Sequence, residues 1–390
     1  MEPEIQPSVP EALPAEADAG ADVPTKPIPD FPDSWETRAV RWVFLGGQGL
    51  RAGWSVLIFV ILIALFGTAL GFAFFKLHLV GGSKKDEFTA SAAFFGEAIP
   101  FLAMAGAAAL VALIERRRSL LAYNLIGHRP SLHFFQGLVA GFAALSALIG
   151  GLAWGGWLHF GPVALSGAEV FKLGALWAGA FLLVGFFEEG TFRCYLQFTF
   201  TRGINFWWAL AIVSSVCLEL VLTIKGNGVW GVYAFALLGL LPCLLLHIRK
   251  APGAAFWQAA WVTSTLFGFI HTINNGENWI GIFAAAAIGF VFCVSVRVTG
   301  SAWWAIGCHA AWDWAETYFF GAADSGTVAS GHYLTTTPAG NALWSGGTDG
   351  PEGSLLVLAV ILLLLVALVA VYGRRKPAGL ATATIEPVAG

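Results

Sequence analysis

Long apolar stretches alternate with short polar connections along most of the chain. A helix that crosses a membrane needs about 20 mostly apolar residues, and ten stretches approach that length. They lie near residues 54–75, 90–114, 134–157, 169–198, 205–223, 229–248, 255–274, 279–298, 302–320 and 354–373. Because some central stretches are short or closely spaced, we predict an all-α, polytopic integral membrane helical bundle with 8–10 transmembrane helices.

The composition favours the same class of protein. The chain of 390 residues is 57% hydrophobic and 12% charged, whereas soluble domains carry about 25% charged residues. The 17 Trp and 32 Phe residues fit aromatic side chains at helix ends and membrane interfaces. The predicted partners are therefore membrane lipids, and no nucleic acid.

The net charge of −3 combines an acidic tail with a basic body. Residues 1–36 hold nine acidic side chains and one lysine, with many prolines and few large apolar residues. Such a segment cannot bury enough surface to offset the entropy of ordering. The predicted layout is a disordered cytoplasmic tail (1–40), transmembrane helices (41–130), a transmembrane core (131–320), an extracytoplasmic loop (321–353), a last helix (354–373) and a cytoplasmic tail (374–390).

Basic residues predict the orientation in the membrane. If both termini are cytoplasmic, nearly all basic residues that flank the apolar stretches fall on the cytoplasmic side, as the positive-inside rule requires. They are Arg38, Arg41, Arg51, Arg116, Arg117, Arg118, Arg193, Arg202, Arg249, Lys250, Arg297, Arg374, Arg375 and Lys376. The opposite loops keep Lys84, Lys85 and Lys225. We therefore expect a multi-pass protein of the cell (plasma) membrane.

Two adjacent glutamates and an arginine interrupt the fourth apolar stretch, in FFEEGTFRCYL (186–196). A charge inside a membrane helix costs several kcal/mol unless it is paired or faces water, and it marks function by default. Glu189 and Arg193 are four residues apart and share a helical face, so they can form a pair. Glu188 lies about 100° away around the helix, so it is expected to face a cavity.

Two further apolar helices supply histidines. His271 follows Phe267 by one turn, while His309 and Asp313 are spaced four apart. A lone buried histidine is usually a packing residue, but two histidines and an acidic pair on three helices indicate a shared site. Glu316 continues the His309 face, and Glu97 and Glu219 are the other intramembrane acids; we expect a structural role for Glu97 and Glu219.

This combination suits hydrolysis by an activated water. A glutamate and a histidine can act as general bases, and neighbouring donors can stabilise an oxyanion. The sequence has no HExxH zinc motif, no GxSxG elbow and no CxxC pair among its five cysteines. Zinc held by His271, His309 and a glutamate is a second possibility, since His₂Glu sites bind zinc. A third hypothesis is a non-catalytic protein, such as a proton-coupled transporter or an assembly or immunity partner.

Three motifs, in order, carry a family resemblance: EEGTFR (188–193), FGFIH (267–271) and HAAWD (309–313). They resemble the CAAX prenyl protease and bacteriocin-processing family of intramembrane glutamic endopeptidases, over about residues 130–320. The resemblance implies that the transmembrane core (131–320) is catalytic and that its substrate is a membrane-associated peptide or protein. It implies no cofactor and no metal. The family includes enzymes that trim prenylated CAAX proteins and members linked to bacteriocin processing, and the motifs do not choose between them.

The resemblance also implies roles for single residues. Glu188 and His271 would activate the water, Glu189 and Arg193 would shape the site, and His309 with position 313 would form the oxyanion hole. Phe267 belongs to the second motif, and Asn275 is a further supporting candidate just beyond it.

The chain departs from the family pattern at two places. The family has asparagine where this chain has Asp313, so Asp313 is either protonated, or orients His309, or alters activity. The 73 residues between Arg193 and Phe267 form a long interval, which predicts an extra helix pair. The three motifs also lie at different distances along their helices, so they meet only if helices tilt or start at different heights.

Overall fold

The structure is a computed structural model that describes residues 34–46, 49–81, 88–115, 119–223, 229–274 and 276–373. Its α-helices are α1 (Trp35–Phe44), α2 (Ala52–Lys76), α3 (Ala90–Ile114), α4 (Pro130–Trp154), α5 (Ala168–Glu189), α6 (Gln197–Gly203), α7 (Phe206–Thr223), α8 (Val229–Arg249), α9 (Ala254–Ile270), α10 (Trp279–Thr299), α11 (Trp303–Asp313), α12 (Ala342–Ser345) and α13 (Leu355–Tyr372). Two π-helical turns, Gly190–Leu196 and Trp314–Phe319, continue α5 and α11.

Each of the ten apolar stretches found in the sequence coincides with a helix, so the predicted all-α polytopic bundle is confirmed. Within the described residues, six helical segments are long and apolar enough to cross a membrane, by length and composition. They are Ala52–Lys76, Ala90–Ile114, Pro130–Trp154, Ala168–Gly203, Trp279–Thr299 and Leu355–Tyr372. This number is below the predicted 8–10, because the other apolar helices of the described chain are too short or not apolar enough. The extra helix pair is also present, as α7 and α8. Helix α1 begins within the range assigned to the acidic tail.

Connections gather at two opposite ends of the bundle. At the first end, the connections α1–α2, α3–α4, α6–α7, α8–α9 and α10–α11 lie together; for example, the backbone N–H of Ala302 donates to the carbonyl of Asn124 (2.8 Å). We call this end the basic end, because eight of the described basic residues flank these connections. They are Arg38, Arg41, Arg51, Arg129, Arg202, Arg249, Lys250 and Arg297.

The opposite end, which we call the loop end, contains the α2–α3, α4–α5 and α9–α10 connections and the long segment 320–354. Strand β1 (Leu158–Phe160) pairs antiparallel with strand β2 (Thr336–Pro338), and Phe160 lies opposite Thr336. The backbone N–H of Ser330 donates to the carbonyl of Phe88 (2.9 Å). Segment 320–354 therefore folds across the end of the bundle, and Lys76 and Lys172 are the described lysines there.

A close helix contact fixes the position of α11, which carries His309. A Cβ added to Gly141 would lie 2.1 Å from the carbonyl oxygen of Cys308, and one added to Gly307 would lie 2.2 Å from that of Phe134. Small residues of this kind let membrane helices approach each other closely. Glycines on both α4 and α11 thus hold these helices backbone to backbone, and the site is built on a rigid element.

Candidate active site

The EExxxR segment forms the junction between α5 and a π-helical turn. Isolated π-helical turns within α-helices are often found at functional sites. The Glu188 side chain is 20% exposed, whereas Glu189 and Arg193 are fully buried. The prediction that the two glutamates point in different directions agrees with this arrangement.

Arg193 neutralises Glu189 inside the bundle. Its Nη1 lies 3.2 Å from Glu189 Oε1, as the sequence spacing predicted. The guanidinium also lies over the ring of Phe267, 4.1 Å from the centroid, and a cation over an aromatic face is attracted by the ring quadrupole. Asn124 from the basic end donates its side-chain amide to the carbonyl of Arg193 (2.8 Å), which anchors the π-helical turn.

His309 connects the glutamates to Asp313. Its Nδ1 lies 2.9 Å from Glu189 Oε1, the same oxygen that contacts Arg193. Its Nε2 lies 3.6 Å from Glu188 Oε2 and 3.5 Å from Asp313 Oδ2. A carboxylate at Glu189 accepts the Nδ1 proton, so the ring orientation is set and Nε2 is directed toward Glu188 and Asp313.

His271 is placed by the end of α9, where the helix tightens into a 3₁₀ turn (His271–Ile273). Its Nδ1 lies 2.7 Å from the carbonyl oxygen of Phe267. A carbonyl can only accept, so Nδ1 carries the proton and Nε2 of a neutral ring can accept one; among the described residues, Nε2 has no hydrogen-bond partner.

These side chains meet in one cavity of about 380 Å³. Glu188, His271, His309 and Asp313, the four catalytic candidates, all line it, together with Phe267. Glu189 and Arg193 lie behind this wall. The different heights of the motifs along their helices are thus compatible with a common site.

The cavity has further polar walls that the sequence analysis did not assign to the site. They come from α3, the α9–α10 connection and segment 320–354: Glu97, Asn274, Asp324, Ser325, Thr327 and Glu352. Glu97 was expected to have a structural role, and its side chain lines the cavity. No local motif distinguishes Asp324 or Glu352 from an ordinary loop carboxylate, so only the folding of the loop over the bundle reveals them.

The carboxylates of the loop end are crowded. Burial, followed by repulsion from Asp324, raises the pKa of Glu352 well above its usual value. Burial likewise raises the pKa of Asp324, although a hydrogen bond from Thr317 (2.9 Å) opposes the shift. Burial and the neighbouring Glu277 raise the pKa of Asp349 to about 8.

The remaining candidates fall elsewhere. Glu316 is fully buried outside the cavity lining, because the π-helical turn after Asp313 changes the helical phase. Glu219 lies on an exposed face of α7, and Asn275 lies outside the described residues. For the zinc hypothesis, the described part of the chain contains no group of three or more His, Cys, Asp or Glu residues that could hold a metal ion.

Comparison with known proteins identifies part of this arrangement. The family model described as "Type II CAAX prenyl endopeptidase Rce1-like" matches residues 244–315, a range that contains His271, His309 and Asp313 but not the EExxxR segment. Neither the curated proteins nor the solved structures gave a match. The resemblance predicted from the motifs is thereby confirmed over residues 244–315: this segment of a multi-pass membrane protein is similar to the Rce1-like, type II CAAX prenyl endopeptidases, a family of proteases.

Proposed function

We propose that the protein hydrolyses a peptide bond of a membrane-associated, CAAX-like or bacteriocin-like substrate through a water activated by Glu188 and His271. The observation that carries the proposal is the shared cavity, in which Glu188, His271, His309 and Asp313 meet. A general base of this kind typically contributes about 10²–10⁴-fold to the rate.

Glu188 is the proposed general base. It takes a proton from a water molecule, whose oxygen then bonds to the carbonyl carbon of the substrate. The C–N bond breaks as the departing nitrogen receives the proton back from Glu188. His271 binds the same water through its free Nε2 and shares in moving the proton.

His309 is the proposed electrophile. When its ring is protonated, Nε2–H can donate to the oxyanion that develops on the substrate carbonyl, while Nδ1–H stays bound to Glu189. The 3.5 Å contact between Asp313 Oδ2 and His309 Nε2 supports the second explanation of the departure at position 313, in which Asp313 orients His309. A carboxylate there also stabilises the protonated ring.

The proposal includes location and domain layout. With the basic end on the cytoplasmic side of the plasma membrane, both termini are cytoplasmic. The catalytic core at 131–320 is then completed by residues on either side of it, since Glu97, Asp324 and Glu352 also line the cavity.

Cleavage by purified protein in detergent tests the proposal. Membrane-tethered C-terminal peptides would be incubated with wild type, Glu188→Gln and His271→Ala, with and without a chelator. We expect wild type to cut and both variants to lose at least about 100-fold, without an effect of the chelator. The matched controls are Glu169→Gln, at an exposed glutamate on the same helix as Glu188, and His128→Ala, at an exposed histidine of the basic end; both should keep activity.

Other outcomes would redirect the assignment. If the chelator abolishes cleavage, the zinc hypothesis gains support. If wild type cuts no peptide while the variants fold normally, the protease proposal fails and the non-catalytic hypothesis of a transporter or assembly partner replaces it.

A further inference from the structure

Helix α1 precedes the first membrane-spanning helix, α2, and is amphipathic. Successive residues of a helix are rotated by about 100°. Four apolar side chains of α1 therefore fall within one arc of about 100°; they are Trp35, Ala39, Trp42 and Val43. Arg38 and Arg41 lie beside each other outside that arc. One side of α1 is thus rich in tryptophan, and the side next to it is basic.

The apolar side of α1 is exposed. Trp35 is 69% exposed and Trp42 is 75% exposed, whereas Trp177 and Trp304 within the bundle are 0% and 3% exposed. An aromatic side chain buries about 150–250 Å² when it is covered. Two exposed indole rings on one face of a short helix therefore mark a surface that binds a partner.

Hydrogen bonds fix the end of α1 against the start of α2. The last carbonyl groups of a helix have no partner within that helix. Here the carbonyls of Trp42 and Phe44 accept from Nε and the backbone N–H of Arg51 (both 2.9 Å), and the carbonyl of Val43 accepts from Nε1 of Trp54 (3.0 Å). Because α2 is long and apolar enough to cross a membrane, its first turn marks the membrane boundary, and α1 ends at that level.

The chain reverses direction between the two helices. Leu45 pairs with Leu50, and Gly46 with Gly49, in an antiparallel arrangement. Helix α1 is therefore a separate element at the membrane boundary and does not extend α2 out of the membrane. Residues 34–51 contain three arginines and one glutamate, so this segment carries a positive charge. Basic residues beside a face that contains tryptophan are typical of helices that lie in the membrane interface.

We propose that α1 lies in the membrane interface at the basic end and binds anionic lipid headgroups. Arg38 and Arg41 contact the headgroups, while Trp35 and Trp42 enter the boundary between headgroups and acyl chains, the level that tryptophan prefers. A basic residue near an anionic membrane surface strengthens binding by about fivefold. This inference is independent of peptide hydrolysis and can be tested on the protein without a substrate.

Fluorescence of the full-length protein in lipid vesicles tests the membrane location. The five native cysteines are all buried, and Ala39 is exposed, so Ala39→Cys can carry the fluorophore NBD on the apolar side of α1. The vesicles would contain phosphatidylcholine with or without phosphatidylglycerol, and a lipid with a nitroxide quencher near its headgroup. We expect quenching at least about twofold stronger with phosphatidylglycerol, and high salt should remove the difference.

Charge variants test the headgroup preference. Arg38→Gln combined with Arg41→Gln should reduce the quenching in anionic vesicles to its level in neutral vesicles. Arg249→Gln, at an exposed arginine of the same end but on α8, is the matched control and should leave the quenching unchanged. Trp42→Ser should weaken the quenching in both kinds of vesicle, because it removes apolar surface from the interface.

Three results would overturn the proposal. Absence of quenching in both kinds of vesicle would refute the membrane location. Equal quenching with and without phosphatidylglycerol, at any salt concentration, would refute the preference for anionic headgroups; this comparison decides even if the double arginine variant does not fold. Loss of quencher-independent shielding of the fluorophore on deletion of residues 1–33, or cross-linking of two copies through Ala39→Cys, would show that the acidic tail or a second copy covers α1 instead.

Discussion

Carboxyl groups at the two ends of the bundle have opposite surroundings. Near the basic end, Glu115 accepts a hydrogen bond from Ser55 (2.6 Å) and one from Tyr123 (3.4 Å), and it pairs with Arg202 (3.5 Å). At the loop end, Asp349 Oδ2 accepts one bond from the backbone N–H of Asn278 (3.0 Å), while Oδ1 is buried and has no hydrogen-bond partner among the residues that the structure describes. Buried polar groups stabilise a fold only when they are satisfied.

This difference indicates different tasks. The basic end ties α2, α3 and α6 together through complementary groups, so its polar residues stabilise the bundle. The loop end brings like charges together at the expense of stability. Functional sites commonly reduce stability in this way, and the loop end is the one that contains the walls of the cavity.

The largest effect is expected where a buried charge loses its partner. Arg193→Met would remove the guanidinium from the fully buried carboxylate of Glu189 and leave that carboxylate with its contact to His309 Nδ1. Breaking a buried ion pair by removing one partner typically costs about 3–5 kcal/mol. Unfolding of the purified protein in detergent measures this loss. Lys172→Met is the control, because its ion pair with Glu169 is solvent-exposed and such pairs contribute about 0–1 kcal/mol. Equal losses in both variants would contradict the assignment of Arg193.

A smaller loss is expected at the basic end. Ser55→Ala removes a buried hydroxyl that contacts Glu115 and the hydroxyl of Tyr195 (2.7 Å), and it should lower the free energy of unfolding by about 1–3 kcal/mol. Ser215→Ala, at an exposed serine that bonds within its own helix, should be nearly neutral. If Ser55→Ala were also neutral, the comparison between the two ends would fail.

At the loop end, replacing a carboxylate with a neutral amide should raise the free energy of unfolding instead of lowering it. The pKa of Asp349 is about 8 in the folded protein, against about 3.9 in an unfolded chain. The folded state therefore binds more protons between these values, and stability falls as pH rises from about 4 to 8. Asp349→Asn should match wild type near pH 4 and be more stable than wild type at pH 8.

Unfolding curves across this pH range measure the effect. Glu169→Gln, on an exposed carboxylate, should leave the pH dependence unchanged. If the stabilities of wild type and Asp349→Asn changed in parallel with pH, the pKa of Asp349 would not be raised in the folded protein.

The smallest effect on catalysis is expected at Asp313. Asp313→Asn retains a polar contact to His309 and restores the residue of the family pattern, so we expect cleavage within about tenfold of wild type. Asp313→Leu removes the contact and should lose about 100-fold. A larger loss in Asp313→Asn than in Asp313→Leu, measured as kcat/KM, would show that Asp313 does not orient His309.

Much of the fold could be predicted because it depends on local properties of the chain. Apolar length determines which segments can become membrane helices, and the ten stretches all form helices. The pairing of Glu189 with Arg193 also follows from spacing along one element, and it survives the change to a π-helical turn. The motif order was sufficient to predict the resemblance to a protease family, which the match over residues 244–315 confirms for that segment.

The site could be predicted only in part. The spacing of His309 and Asp313 within one helix predicted their contact. The bond from His309 to Glu189 joins residues 120 positions apart, and nothing in either motif specifies it. Likewise, the phase of a regular helix placed Glu316 on the His309 face, but the π-helical turn Trp314–Phe319 changes that phase.

The sequence by itself determined the membrane class, the helical segments, the charge asymmetry and the candidate residues of the site, because hydropathy and residue type act locally. Only the tertiary structure decided which carboxylates share a cavity and toward which end that cavity extends. Those features depend on how helices tilt and how segment 320–354 folds over the bundle. They arise from packing between distant parts of the chain, and the spacing of residues along the sequence does not specify that packing.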